Sequence, residues 1–181
     1  MAFTISQLPI ASMFLSALGT TRAAAGGLAN QRKIDYDLNL ELARAAKDAG
    51  VQTYVLISSA GATPKGLVPY TKMKGELEEA VKALGFKYCV ILKPGILVGQ
   101  RKQSRTTEWL VQQVAKGAGA VGNGLKDFWA QDAEVVARAA VSAGLSCVEG
   151  KGKEGVWVLE QKDVLRLGRT EWDEAKKGEE S

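Results

Sequence analysis

Three short apolar runs alternate with two segments of helical periodicity, and this alternation constrains the fold more than any other feature of the sequence. The runs cover residues 13–18, 53–59 and 87–92. Between them, residues 31–49 and 70–84 carry apolar side chains at helical spacing, and a glycine directly follows each segment. Short apolar runs are typical of buried parallel strands. The order strand, helix, strand, helix, strand therefore predicts an α/β fold with a Rossmann-like parallel sheet and right-handed crossover helices.

The pattern is weaker in the second half of the chain. Residues 106–116 and 131–143 have helical periodicity, and residues 156–159 are typical of a further short strand. The charged segment 170–181 has the composition of a disordered tail. We therefore expect one partial nucleotide-binding domain over residues 1–169, followed by this tail.

Composition excludes several classes of function. The 181 residues include 24 Lys and Arg against 20 Asp and Glu, interleaved along the chain, which disfavours a nucleic-acid surface. The sequence has no histidine, which removes Ser-His-Asp and Cys-His catalysis and every histidine-based zinc site. Its two cysteines, Cys89 and Cys147, form no Cys-x-x-Cys pair and are predicted to be reduced packing residues. We predict no metal site, and proton transfer falls to Tyr, Lys, Asp, Glu or Cys.

A Tyr-x-x-x-Lys motif, Tyr70 to Lys74, opens the second predicted helix, and Ser58-Ser59 ends the strand before it. Four positions on a helix place two side chains on one face, and a nearby ammonium stabilises a phenolate. Lys74 is thus predicted to tune Tyr70 as an acid-base group. Ser59 is predicted to orient the substrate oxygen, with Ser58 as the alternative if the loop register differs. Ligands bind outside the carboxyl ends of parallel strands, where these serines are expected.

The motif alone is weak evidence, since a lysine four residues after one of four tyrosines arises often by chance. The competing interpretation is an amphipathic helix start with a solvated lysine. The flanking Ser58-Ser59 and Pro94-Gly95, each at a predicted strand end, favour the catalytic interpretation. Residues 117–122 fit Gly-x-Gly-x-x-Gly, but a helical pattern precedes them, so we predict a loop without a role in nucleotide binding.

Several stretches resemble atypical short-chain dehydrogenases related to the human Tat-interacting oxidoreductase, and in particular their fungal mitochondrial outer-membrane branch. The resemblance extends from about Phe14 to about Trp172 and is carried by six stretches. These are Ser16 to Arg22, Leu56 to Ala62, Tyr70 to Glu76, Leu92 to Gly99, Asp127 to Asp132 and Leu167 to Trp172.

The resemblance implies an NAD or NADP cofactor and assigns residues to it. Ser59, Tyr70 and Lys74 would be catalytic. The residues that would contact the cofactor are Leu18, Gly19, Thr20, Arg22, Ser58, Lys74, Pro94, Gly95, Ile96 and Val98. Each loop residue also has a plain interpretation, as a turn or a strand terminator. The family begins with a glycine-rich turn after its first strand, and this sequence is expected to begin at what would be the fourth strand. Cofactor affinity is therefore expected to be impaired.

Two functions remain open from the sequence. The first is NAD(P)-dependent carbonyl reduction or alcohol oxidation on an unknown small molecule. The second is a non-catalytic regulatory or scaffolding protein. By resemblance the location is the mitochondrion, with peripheral association at the outer membrane, and the alternative is the cytoplasm. An exposed sheet edge would also favour self-association.

Overall fold

The computed structural model describes residues 11–97, 130–131 and 133–172, with side chains described over 11–95 and 133–172. The elements in chain order are β1 Met13–Ser16, α1 Leu28–Arg32, a π-helical segment Lys33–Leu38, α2 Asn39–Asp48, β2 Thr53–Ile57, α3 Pro69–Lys82, β3 Tyr88–Lys93, β4 Ile96–Leu97, β5 Ala130–Gln131, α4 Ala133–Val148, β6 Gly155–Glu160, α5 Gln161–Leu165 and a second π-helical segment Arg166–Thr170.

A four-stranded sheet of order β1-β2-β3-β6 forms the centre, and all of its strands are parallel. This confirms the predicted α/β, Rossmann-like fold. A separate pair, β4 with β5, is also parallel and joins Ile96 to Ala130. Within the described part of the chain, β1 pairs only with β2, and Leu15 on β1 is exposed.

Alternate side chains of the strands enter two apolar cores, one on each face of the sheet. Val55 and Leu92 lie in the core beneath α4 and α5. Leu56 and Ile91 lie in the core beneath α2 and α3. Helices thus cover both faces, as the continuous apolar runs require.

The first helical region runs without a break from Leu28 to Asp48, and its middle part is the π-helical segment. It begins three residues before the predicted start at Gln31 and ends one residue before the predicted end. The π-helical segment was not predicted. Such segments occur often at functional sites, because they turn side chains that a regular helix would place elsewhere.

The second helix, α3, begins with Pro69 at its first turn, a position that proline tolerates because no partner for its missing N–H is required. The predicted strands over 53–59, 87–92 and 156–159 are confirmed, with shifts of one or two residues at their ends. The predicted strand over 13–18 ends earlier, at Ser16.

The C-terminal part differs more from the prediction. Helix α4 continues to Val148, five residues beyond the predicted end. Residues 161–170 are helical, and a reciprocal capping box between Glu160 and Asp163 begins this region. Thr170, assigned to the charged tail, closes the second π-helical segment. The rest of the predicted tail beyond Trp172 and the predicted helix over 106–116 lie outside the described residues, as does the loop over 117–122.

No helix in the described ranges is long and apolar enough to cross a bilayer.

Candidate active site

The carboxyl ends of β1, β2 and β3 lie side by side, and a loop follows each of them. We call this end of the sheet its carboxyl edge. Backbone pairing continues past β2 and β3, since Ser58 N–H donates to the Leu92 carbonyl at 2.8 Å and Ala60 N–H donates to the Pro94 carbonyl at 2.8 Å. The loops after β2 and β3 are therefore held in register beyond the strands themselves. This edge is where ligands bind in open parallel sheets.

Lys74 lies on α3 and is buried, with 4% of its surface exposed. Its Nζ donates to the carbonyl of Ile57, the last residue of β2, at 2.9 Å. Burial lowers the pKa of Lys74 below its usual range, and the carboxylates of Asp35 and Glu78 oppose this effect. The solvated lysine of the competing interpretation is thus not what the structure contains.

Tyr70 precedes Lys74 by one helical turn and is 38% exposed. The pair therefore consists of a buried ammonium and a solvent-accessible phenol on one helix. A phenol that passes a proton to a substrate must be reachable from outside, so this exposure suits the predicted acid-base role.

The two adjacent serines have different environments. Ser58 is buried, and its Oγ makes a short hydrogen bond to Glu78 Oε1. Ser59 is half-buried, and its Oγ donates weakly to the Ala60 carbonyl at 3.3 Å. Ser58 is thus committed to the protein interior, and the hydroxyl of Ser59 can exchange its weak bond for one to a ligand.

Glu78 joins three elements at this edge of the sheet. It lies one turn beyond Lys74 on α3 and is 4% exposed. While Oε1 accepts from Ser58, Oε2 lies 3.4 Å from the Nζ of Lys93, at the end of β3. Lys93 also donates to the Ala62 carbonyl at 2.9 Å. This buried ion pair fixes the loop after β2 relative to α3.

The loop after β1 is held by the first helical region. Asn39, fully buried, accepts from Ser16 Oγ at 2.5 Å and donates to the Leu18 carbonyl at 3.2 Å. Asp35 accepts from Thr20 N–H at 2.6 Å. These bonds explain why β1 ends at Ser16, because the backbone of residues 18–20 pairs with helix side chains instead of a strand.

Four of the residues predicted to contact a cofactor lie in the loop after β1. The side chains of Leu18 and Arg22 are exposed, and Gly19 is exposed beside them. Thr20 has its N–H occupied by Asp35, so this amide is not available to a phosphate. A Cβ built on Gly19 would meet Asp35 Oδ1 at 3.7 Å, an ordinary contact, so this surrounding does not require glycine.

After β3, Pro94 is buried and Gly95 is half-buried. Ile96 lies in β4, which pairs with β5. The side chain of Ile96 and all of Val98 lie outside the described residues.

Three buried polar residues of the site were not predicted: Asp35, Asn39 and Glu78. Their signal in the sequence is the four-residue spacing, with Asn39 four residues after Asp35 and Glu78 four residues after Lys74. Polar residues on the stripe of a helix that faces the core are uncommon unless they are paired.

The residues at this edge fit the nicotinamide end of a dinucleotide. They offer a hydroxyl at Ser59, a phenol at Tyr70, an ammonium at Lys74 and the exposed apolar side chain of Leu18, which together suit ribose hydroxyls and an aromatic ring. Across residues 11–97 and 133–172, no group of three His, Cys, Asp or Glu side chains is arranged to hold a metal ion.

Two depressions are lined by other residues. A cavity of about 350 Å³ opens at the opposite, amino end of the sheet, between Thr53, Tyr88 and Cys147. A groove of about 210 Å³ lies between Leu28 and α3, where Arg32 pairs with Glu76 at 2.7 Å. Neither is lined by Ser59, Tyr70 or Lys74. We place the candidate site at the carboxyl edge because these three polar side chains belong to the elements that meet there.

Comparisons with known proteins give the family and the fold of this chain. The HIM1 family model matches residues 2–117. The chain is 54% identical over 164 residues to the mitochondrial protein fmp52-1 of Aspergillus terreus, covering 89% of this chain and 71% of that protein. It is 47% identical over 174 residues to the mitochondrial protein fmp-52 of Neurospora crassa, covering 93% and 72%.

Solved structures of proteins in complex with UDP-glucose share the fold. MoeE5 in complex with UDP-glucose and NAD superposes with a TM-score of 0.56 at 18% identity, covering 82% of this chain and 56% of that one. UDP-glucose 4-epimerase of Thermotoga maritima gives a TM-score of 0.56 at 14% identity, covering 88% and 60%. The chain thus spans somewhat over half the length of these enzymes.

Proposed function

We propose that this chain, which belongs to the HIM1 family and to the Fmp52 family of fungal mitochondrial proteins, is an NAD(P)-dependent oxidoreductase of the short-chain dehydrogenase type. The observation that carries this proposal is the buried ammonium of Lys74, one helical turn from the accessible phenol of Tyr70. This ammonium is bonded to the last residue of β2, two residues before Ser59. The reaction is the interconversion of a carbonyl and an alcohol on a small molecule.

In the proposed mechanism, Ser59 orients the substrate oxygen by a hydrogen bond. Tyr70 donates a proton to that oxygen in the direction of reduction and accepts it in the direction of oxidation. Lys74 stabilises the phenolate form of Tyr70 from inside the protein. The chemistry that a nicotinamide would supply, when bound, is the hydride given to or taken from the substrate carbon.

The cofactor would lie against the exposed side of the loop after β1, at Leu18 and Gly19, with Arg22 near an anionic group. Pro94 and Gly95 would border the nicotinamide from the end of β3. Ser58 is buried and its Oγ bonds Glu78, so we leave it out of the proposed cofactor contacts.

The first test is to measure the binding of NADPH and of NADH through the quenching of tryptophan fluorescence. Saturable binding of either one supports the proposal and permits a screen of carbonyl substrates. Tyr70→Phe should then abolish turnover and leave cofactor binding within about twofold. The matched control is Tyr36→Phe, which keeps the ring that contacts Arg32 at 4.3 Å and should leave turnover unchanged. A folded chain that binds neither cofactor contradicts the proposal.

A second candidate function is a non-catalytic scaffolding or regulatory role at a membrane surface. It is favoured by the loop before α3, where Leu67 is fully exposed and Val68 is 58% exposed between the exposed Lys65 and Lys72. Residues 59–75 contain no acidic side chain. Exposed apolar residues flanked by cations suit an anionic bilayer.

Cosedimentation with vesicles of phosphatidylcholine and cardiolipin tests this role. Binding that is lost in a Leu67→Ser, Val68→Ser double variant, and kept in Tyr70→Phe, would favour scaffolding. The matched control is Leu145→Ser, at another exposed apolar position. No binding of the unsubstituted chain would argue against it.

We also propose a mitochondrial location, because the relatives are named as mitochondrial proteins. Two further proposals rest on the sequence resemblance alone. They are peripheral association with the outer membrane and a relation to the group of the Tat-interacting oxidoreductase. The exposed edge of β1 likewise keeps self-association as a proposal, which light scattering would test.

A further inference from the structure

A tight turn over residues 59–62 carries Ser59 at its first position. The N–H of Ala62 donates to the Ser59 carbonyl at 3.1 Å and closes the turn. Gly61, at the third position, has a φ of 73°, a conformation that favours glycine. Ala62 is buried, whereas Ser59 is half-buried. The position of the Ser59 side chain therefore depends on how the backbone of this turn is held.

Glu78, on α3, contacts the chain on both sides of Ser59. Its Oε1 accepts from the hydroxyl of Ser58, the residue before the turn. Its Oε2 lies 3.4 Å from the Nζ of Lys93. That ammonium donates to the carbonyl of Ala62, the last residue of the turn, at 2.9 Å. One carboxylate is thus bonded directly to one end of the turn and through a single lysine to the other.

We propose that Glu78 is a positioning residue that places the hydroxyl of Ser59 for the substrate oxygen, because it holds the turn at Ser58 and, through Lys93, at Ala62. This inference rests on the proposed oxidoreductase function. It gives a residue outside the Ser-Tyr-Lys set the task of fixing the substrate-orienting serine relative to the acid-base pair.

The position of Glu78 on α3 suits this task, because Tyr70 and Lys74 belong to the same helix. Lys74, one turn before Glu78, donates to the carbonyl of Ile57 at 2.9 Å. Helix α3 is therefore bonded to the chain both before and after Ser59. The hydroxyl of Ser59 makes a weak bond to the neighbouring carbonyl at 3.3 Å. The backbone is held firmly, and this hydroxyl is left for a ligand.

The burial of the ion pair is consistent with a role in positioning. The side chains of Glu78 and Lys93 are 5% and 15% exposed. A buried ion pair adds little net stability, because the loss of hydration offsets the attraction. Hydrogen bonds to charged groups are nevertheless stronger than neutral ones, so they restrict the atoms that they join. The pair is thus better suited to fixing the turn than to stabilising the fold.

Amide hydrogen exchange, followed by NMR, tests the hold on the turn. In Glu78→Gln, which keeps the shape and removes the charge, the amides of Ala60 and Ala62 should exchange about tenfold faster. This is the lower end of the effect of losing a hydrogen bond to a charged group. The amide of Val55, fully buried in β2, reports on unfolding of the whole chain and should change less than those of the turn. An equal change at Val55, or none in the turn, would overturn the proposal.

The matched control is Glu79→Gln, which removes the next acid on the same helix. Glu79 is exposed and pairs with Lys82 at 2.8 Å, so its loss should change exchange in the turn less than twofold. An acceleration equal to that of Glu78→Gln would show that any acid on α3 has this effect, and would also overturn the proposal.

A second variant is needed because Glu78→Gln leaves the ammonium of Lys93 buried and unpaired, which could prevent folding. The double variant Glu78→Gln, Lys93→Met removes both charges. The amide of Ala62 should still exchange about tenfold faster, because its carbonyl has lost the ammonium that held it. Unchanged exchange in a folded double variant would contradict the role of the pair.

Turnover shows whether the hold acts through Ser59. The assay uses NADPH, or NADH if only NADH binds, with phenanthrenequinone as the carbonyl probe, or the compound identified by the carbonyl screen if this probe is not reduced. Glu78→Gln should lower kcat about tenfold, because the hydroxyl is misplaced, and should leave cofactor binding within about twofold. In a Ser59→Ala background the same substitution should change kcat less than twofold. Equal losses in both backgrounds would mean that Glu78 does not act through Ser59.

Cofactor binding separates this inference from the proposed function. A folded chain that binds neither NADPH nor NADH contradicts the oxidoreductase function. The exchange measurement needs no cofactor and still decides whether Glu78 holds the turn that carries Ser59.

Discussion

The two faces of the central sheet are built from the same strands but differ in chemistry. Beneath α4 and α5 the core is apolar and rich in small residues, with Ala139, Ala140 and Ala143 fully buried. Beneath α2 and α3 an apolar core borders a group of buried polar side chains at the carboxyl edge: Asp35, Asn39, Lys74 and Glu78. Burying charges costs stability unless they are paired. Among the described residues, the buried charged side chains Asp35, Lys74 and Glu78 thus border the α2/α3 core, and this is the face where we propose the site.

Neighbouring residues of β3 give the largest expected effect. Ile91 faces the α2/α3 core and Leu92 faces the α4/α5 core, and both are fully buried. Ile91→Ala and Leu92→Ala should each lower the free energy of unfolding by about 3 kcal/mol, because both leave a cavity. Urea denaturation checks this. A loss below about 1 kcal/mol for one variant alone would mean that the two cores are not equally packed.

The buried thiol of Cys89, on the α2/α3 face, predicts alkaline sensitivity. Burial raises its pKa to about 11. A raised folded-state pKa means that the folded chain holds the proton more tightly, so stability is lost as pH rises from about 9 to about 11. The loss from this group is about 2–3 kcal/mol. Cys89→Ala should flatten the pH dependence of urea denaturation in that range, and an unchanged slope would contradict the prediction.

Two glycines, one on each face of the sheet, allow a further comparison of the two faces. Each lets its helical segment lie close to the backbone of a neighbouring segment. A Cβ on Gly168 would lie 2.1 Å from the Val135 carbonyl oxygen, beside α4. A Cβ on Gly75 would lie 2.2 Å from the Thr63 carbonyl carbon, in the loop after β2. Each substitution by alanine should cost about 2 kcal/mol, since backbone must shift.

The consequences for the site should nevertheless differ. Gly75→Ala displaces the loop that carries Ser59 and should weaken NADPH binding, whereas Gly168→Ala should leave that binding unchanged at a temperature where both variants are folded. Equal binding by the two variants would show that the loop after β2 does not contribute to the site.

The smallest effect is expected at the exposed ion pair between Arg32 and Glu76, which joins the first helical region to α3. Exposed pairs contribute little because solvent screens them and ordering the side chains costs entropy. Arg32→Gln should lower the free energy of unfolding, measured by urea denaturation, by about 0.5 kcal/mol. A loss above 2 kcal/mol would show that this contact is part of the core of the α2/α3 face.

Much of the fold was accessible from the sequence because hydrophobic periodicity is a local signal. The existence of the strands predicted over 13–18, 53–59 and 87–92, though not their ends, and the helix α3 follow from residue spacing and from glycine and proline at the boundaries. The parallel order follows as well, because a helix between two buried strands leaves few other topologies. Tyr70, Lys74 and the Ser58-Ser59 pair are likewise candidates that spacing and their place near strand ends single out.

The tertiary structure decided the rest. Which serine turns inward depends on Glu78, twenty residues away, and the end of β1 depends on Asn39, more than twenty residues from Ser16. The π-helical segment that turns Asp35 toward Thr20 has no local composition that distinguishes it from an ordinary helix. Burial of Lys74 and its lowered pKa arise only when α3 is packed on the sheet, because desolvation and the charges of Asp35 and Glu78 act through space and not along the chain.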